Sequence, residues 1–259
     1  MPIDFQRQAR RARLRLAGIG LVVLAAVAGG AVALINIDDS GSSQAVSDDA
    51  KTTLSPSPNI PSAPGAGSGA DLTPATAPKI RLFKPTTTTE GIGRGFEHSA
   101  MGARSAAVSY WQDLNIIDDA IARQQWQAIT SKDSPDTVDR RVSDVRKTRE
   151  AAGLPPSGPA PDGISFSTTV TAMQALGLET SGDVVQVWMS YDVYAVFRDK
   201  GGNQNPKKGE TVYLILKWEN GDWRVTDEPQ YRKKLTGPQP YHPDSRPAFQ
   251  DGWREIAHG

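Results

Sequence analysis

Three histidines, His98, His242 and His258, are the imidazoles that this 259-residue chain could use for proton transfer. A His–Asp dyad built on His98 needs an acid from the interior of a sheet, and Asp192 is the carboxylate that the residue pattern offers. The competing role for His98 is structural. His98-Ser99 precedes a helical pattern, so Ser99 caps the helix while the imidazole bonds backbone in the preceding loop. The second role is the expectation: His98 and Ser99 form a structural cap, and no residue is assigned to catalysis. No cofactor or metal is expected either. Asp118-Asp119 and Asp48-Asp49 are adjacent pairs whose side chains diverge, which is poor geometry for chelation. Gly91, Gly93 and Gly95 lack the preceding strand that a dinucleotide-binding turn needs. The chain has no cysteine, which excludes disulfides, thiolate zinc sites and cysteine nucleophiles.

Lys+Arg and Asp+Glu balance at 29 each, so bulk charge gives no case for nucleic acid. The charge is unevenly placed. Arg7, Arg10, Arg11, Arg13 and Arg15 precede Ala17–Ile35, a run of 19 uncharged residues made of Leu, Val, Ile, Ala and Gly. A helix of that length spans roughly 28 Å, close to the hydrocarbon thickness of a bilayer. Arginines held on the cytoplasmic side orient it with residues 1–16 inside and the remainder outside. A cleavable signal peptide ending at Ala31-Val32-Ala33 is the alternative. The run exceeds the usual apolar region of a signal peptide, so a retained single-pass membrane anchor over residues 17–35 is expected.

Residues 36–89 read as a tether, with seven prolines among Ser, Thr, Ala and Gly. Such a segment buries too little apolar surface to offset its ordering entropy. An outer domain is expected over residues 90–228. Ser99–Ile117 carries Met101, Ala103, Ala106, Ala107, Tyr110, Trp111 and Leu114 on one wide helical face. Ile116, Ile117, Ala120, Ile121, Trp126 and Ile129 continue into a second helix. Ser134-Pro135-Asp136 caps a third, with the proline at its first position. The period then switches to two. Ile164–Ala172 alternates, the odd positions of Val185–Phe197 are apolar, and Thr211–Trp218 follows. Asn220-Gly221 turns the chain into Trp223-Arg224-Val225. Helices first and an antiparallel meander of about four strands after them give an α+β class.

That order, closing in Trp218-Glu219-Asn220-Gly221-Asp222-Trp223-Arg224-Val225, resembles the nuclear-transport-factor-two-like (cystatin-like) superfamily. The resemblance implies a cone of about three helices on a curved sheet. Gly95-Phe96-Glu97-His98-Ser99-Ala100-Met101-Gly102-Ala103, followed by Ala106-Ala107, is similar to a phrase found in membrane-anchored proteins of actinobacteria, some from conjugative-element loci. With one membrane helix and a tether, the layout resembles the inner-membrane assembly factor of type IV secretion and conjugation. The resemblance implies a scaffold role and carries over no catalytic residue. A tethered ligand-binding or isomerase-like cone domain is the alternative.

Residues 229–259 read as a proline-rich strap and a short amphipathic helix. Phe249, Trp253 and Ile256 fall at i, i+4 and i+7 on its apolar side, where they either dock on the domain itself or meet a partner groove. They are the candidate contacts for other membrane or envelope proteins, or for self-association.

Overall fold

The computed structural model describes residues 72–197, 201–202 and 206–258. The tail 1–16, the expected membrane helix 17–35 and residues 36–71 of the tether lie outside the described residues. Among the described helices, none is long and apolar enough to cross a membrane.

The domain is α+β. A small hairpin of β1 (Thr87–Thr89) and β2 (Ile92–Arg94) leads into helices α1 (Ala100–Asp113), α2 (Asp119–Ile129) and α3 (Asp136–Ala151). Then come β3 (Ile164–Gly177), β4 (Val184–Phe197), the two-residue β5 (Gly201–Gly202), β6 (Lys207–Glu219) and β7 (Asp222–Val225). Two short helical turns, α4 (Pro229–Arg232) and α5 (Arg246–Gln250), precede β8 (Arg254–Glu255). The main sheet is antiparallel, in the order β7-β6-β4-β3-β8, with β5 paired to β4. Register shifts at Val170/Ala172 and at Tyr191/Val193 mark bulges. Asn220 (φ 53°) and Gly221 (φ 80°) make the tight turn that their types favour.

Helix α1 packs closely because its inner face is small. Ala103, Ala106 and Ala107 are fully buried against the odd-numbered side of β4. Gly102 is required at its position: a Cβ there would sit 1.9 Å from the Glu97 carbonyl oxygen. Asp118 caps α2, accepting from the N–H groups of Ala120 and Ile121 at 3.0 Å. The expected cap of α3 is different. Ser134 Oγ accepts from the Asp227 N–H (3.0 Å) and shares a 2.9 Å bond with Thr226, so it ties α3 to the end of β7 and leaves Pro135 at the cap position.

Two expectations are corrected at the ends of the domain. The tether does not extend to residue 89. The Ala75 N–H donates to Pro243 O (2.9 Å), Ile80 exchanges bonds with Glu255 and Ala257 (2.8 and 2.9 Å), and Phe83 N–H reaches Ser105 Oγ (2.9 Å). Residues 72–89 are therefore tied to the domain by their backbone.

The terminal helix is also shorter than expected. It stops at Gln250, and Gly252 takes φ 102°, where an L side chain rarely sits. This turn breaks the i, i+4, i+7 spacing and sends the three apolar residues in different directions. Ile256 (3% exposed) enters the core between helices and sheet. Trp253 (1% exposed) packs with Ala172, Trp188 and Ala248 on the opposite face of the sheet. Phe249 lies under the Arg254 guanidinium, 3.7 Å from its ring centre. The stripe proposed for a partner groove belongs to the domain's own packing.

Trp253→Ala is expected to destabilise the domain by about 3–5 kcal/mol, because a fully buried indole leaves a cavity that the strap fills poorly. Deleting residues 245–259 should unfold it. A truncated chain whose melting temperature matches wild type would contradict this packing.

Candidate functional site

His98 lies between β2 and α1, one residue before the cap. Ser99 Oγ accepts from the Gly102 N–H at 3.0 Å, as expected of a helix-capping serine. The imidazole, however, bonds no backbone group among the described residues. Its Nε2 is 2.7 Å from Asp183 Oδ1, and its ring stacks on Trp218 with centroids 4.3 Å apart and planes within 4°. Trp223 meets the imidazole edge-on at 5.8 Å, and the two indoles meet each other at 5.3 Å. Asp192, the acid expected for a dyad, is elsewhere. It accepts from Tyr194 OH (3.1 Å) and the Gly209 N–H (2.9 Å). Asp183 comes from the β3–β4 turn, a position that no periodic pattern marks.

Each part of this cluster is held by a different element. Trp223 Nε1 donates to Glu97 O (2.9 Å), which fixes the loop that carries His98. Tyr110 OH donates to Trp223 O (2.7 Å), which fixes β7 to α1. The Trp218 N–H donates to Asp183 O (2.7 Å), which places the carboxylate. The His98 and Asp183 side chains remain 46% and 43% exposed. Chemically this is a solvated His–Asp pair on an aromatic platform. The hydroxyl that reaches it, Ser181 Oγ, accepts from the Asp183 N–H at 3.2 Å and so braces the turn that carries the carboxylate.

Most other polar clusters fasten loops. Asp222 receives Arg94 through Nε (2.8 Å) and Nη2 (2.5 Å), together with the Trp223 N–H (2.9 Å). Arg149 donates to the carbonyls of Ile117, Pro155 and Pro159 at 2.6, 2.8 and 3.0 Å. Asp119 accepts from the Gly158 N–H (2.9 Å), Ser157 Oγ (2.8 Å) and Arg146 Nε (3.0 Å). The Gly158 N–H, then Ser157 and Arg146, hold its carboxyl down at about 2. Asp118 and Asp119 diverge, one capping α2 and the other facing the α3–β3 crossover. Among the described residues, no three His, Asp or Glu side chains converge on a metal position.

Two further places are concave or unsatisfied. An open depression of about 530 Å³ lies beside the β6–β7 turn, lined among others by Arg123, Lys132, Val138, Glu219 and Arg224. Arg123 is paired with Asp139 (2.7 Å), Glu219 accepts from Ser131 Oγ (2.5 Å), and Arg224 donates to Ala128 O. Between α1 and the sheet, Tyr191 OH and Trp111 Nε1 are buried and find no hydrogen-bond partner among the described residues, their rings 5.3 Å apart. Burial first, and Glu210 second, push the Tyr191 phenol up.

No protein-family model, curated protein or solved structure matches the chain.

His98→Ala should lower stability by only about 1 kcal/mol, the scale of an exposed pair plus one stacked ring, read from thermal or urea unfolding. A loss of several kcal/mol would mean that the platform holds the domain together.

Asp119→Asn should cost about 2 kcal/mol near neutral pH. The folded carboxyl titrates below the unfolded value of about 3.9, so its stabilisation is present above that pH and is lost as pH falls through about 2. The difference between wild type and variant should therefore vanish in acid. A difference that persists at low pH would assign the loss to shape and not to charge.

Proposed function

We propose that this chain is a membrane-anchored, non-enzymatic assembly protein whose outer domain acts through protein contacts outside the cytoplasm, in conjugative transfer or secretion. The observation that carries the reading is the filling of the space between α1 and the sheet. Ala103, Ala106, Ala107 and Tyr110 from the helix meet Val187, Met189, Leu214, Leu216 and Val225, all buried. A ligand-binding or enzymatic cone keeps a deep pocket with converging polar groups in that place. Three helices ahead of a long-stranded meander support a nuclear-transport-factor-two-like cone, and the bulges in β3 and β4 support its curvature. The arginine-flanked run at 17–35 supports a single-pass anchor with the N-terminus inside.

A tethered ligand-binding or isomerase-like domain is the second reading. It is favoured by the unpartnered Tyr191 OH and Trp111 Nε1 inside the same layer.

Membrane retention tests the anchor that both readings share, and crosslinking and a Tyr191 variant separate them. The full-length chain should stay in the membrane pellet through high-salt and carbonate washes, and crosslinking from such membranes should capture envelope proteins or further copies of the chain. A soluble form beginning at Leu34 would overturn the anchor. Tyr191→Phe removes a hydroxyl that bonds nothing among the described residues, so under the assembly reading it should leave melting unchanged or slightly raised and leave crosslinking intact. A variant that melts normally and has lost its biological activity would favour the ligand reading.

A further inference from the structure

The main sheet has two edges, and the chain closes them unequally. At β7, Thr130 bridges Val225 in parallel, and the Ser131 N–H donates to Val225 O at 2.8 Å. At β3, β8 pairs only with Ala172 and Met173, and the Ile256 N–H donates to Thr171 O at 3.0 Å. Just before the bulge, the Gln112 side-chain oxygen accepts from the Val170 N–H at 3.0 Å.

Beyond Val170 the edge is unclaimed. In an antiparallel ladder the N–H and C=O groups of alternate residues point to the same side. The Val170 N–H points away from β4 into Gln112, so those of Phe166 and Thr168 point away from β4 as well. Among the described residues no hydrogen bond reaches them. Ser165 and Ser167 are exposed along this stretch. Edge strands that must stay unpaired usually carry Lys or Pro, or lie under a loop. β3 reads ISFSTTVTAMQALG, without one charge or proline over its 14 residues.

We propose that the free edge of β3, residues 164–168, is a β-augmentation surface that pairs antiparallel with the same edge of a second copy of this chain. Three observations select that occupant. The edge is neutral, so its own copy meets no like charge across the ladder, whereas an acidic or basic peptide would find no counter-charge on β3. A two-fold axis at Phe166 sets outward-facing residues against outward-facing residues, so both rows of free N–H and C=O groups are satisfied in one register. The same edge already accepts a strand from this chain, since β8 pairs with it at Ala172 and Met173. The inference deepens the assembly reading by naming its surface and partner. Its readout is chain pairing, which membrane retention does not move.

The absence of native cysteine makes the test direct. With the axis at Phe166, position 165 of one chain faces position 167 of the other, within disulfide reach. The full-length chain in mild detergent, carrying Ser165→Cys and Ser167→Cys, should oxidise to a linked dimer under copper–phenanthroline. A chain carrying Ser181→Cys, in the exposed β3–β4 turn, should pair in the same way and remain unlinked. Thr168→Pro removes an outward N–H and leaves the bonds to β4 in place, so it should cut the linked fraction roughly tenfold, the equivalent of about 1.4 kcal/mol. Ser165→Lys together with Ser167→Lys, in place of the cysteine pair, changes no backbone group and sets lysine directly against lysine on both sides of the axis, so it should return the wild-type dimer to monomer in sedimentation. It keeps the test decisive if the proline variant fails to fold. A wild-type chain that sediments as a monomer at micromolar concentration, or a lysine variant that still sediments as a dimer, overturns the proposal.

Discussion

Burial of β4 from both sides is the constraint on which the rest of the domain depends. All eight residues from Val184 to Tyr191 are buried, those at odd positions and those at even positions alike. An antiparallel sheet commonly leaves one face to water. Here a second layer is obligatory, because Gln186, Trp188 and Ser190 face away from the helices and still lie in the interior. A buried carboxamide without partners costs more than its bonds return. Gln186 finds both of its partners on one residue of the strap: Nε2 donates to Thr236 O at 2.7 Å, and Oε1 accepts from the Thr236 N–H at 3.4 Å. Trp188 Nε1 donates to the same carbonyl at 3.2 Å. The strap is thus pinned at one point by the polar atoms of β4, and the apolar contacts of Tyr231, Ala248 and Trp253 follow on either side of that point.

The strap is irregular because it carries Pro229, Pro238, Pro240, Pro243 and Pro247, which cannot sustain a long helix or a paired strand. Its backbone groups therefore find side chains instead. The Gln239 N–H donates to Asp251 Oδ2 (2.6 Å), and Gln239 O accepts from Trp253 Nε1 (2.7 Å). Residues 75–83 then close over the C-terminal segment, and Lys79 pairs with Glu255 at 2.9 Å. The two ends of the described chain hold one another.

Periodicity was legible in the sequence wherever one physical face dominated. The small-residue face of α1, the odd-numbered face of β4 and the Asn220-Gly221 turn could all be read from residue types alone. So could the Ser99 cap, because its donor lies three residues away. Long-range pairings were not legible. Asp183 reaches His98 from 85 residues away, and nothing in its own neighbourhood distinguishes it from Asp192. Ser134 has the local signature of a cap but is drawn to Thr226 and Asp227 across the fold. Pro74, Pro78 and Pro85 gave residues 72–89 the composition of a tether. That composition describes the segment's own lack of apolar surface and not the surface waiting for it on the edge of the sheet. The spacing of Phe249, Trp253 and Ile256 assumed an unbroken helix, and Gly252 breaks it.

The crossover from α3 to β3 links this packing to the contact surface. Arg149 is buried and must satisfy its guanidinium locally, since an unpaired interior charge is costly. It does so on the carbonyls of Ile117, Pro155 and Pro159, while Asp119 takes Ser157 and Gly158. Both groups belong to the helices, so the crossover is bound to the helical layer and none of these bonds is spent on the outer edge of β3. Strand β3 is held from one side by β4 and from its face by α1. Its edge is already extended as a strand before any partner arrives. A preordered strand loses little conformational entropy on pairing, so the few backbone bonds available at residues 164–168 retain most of their free energy for association.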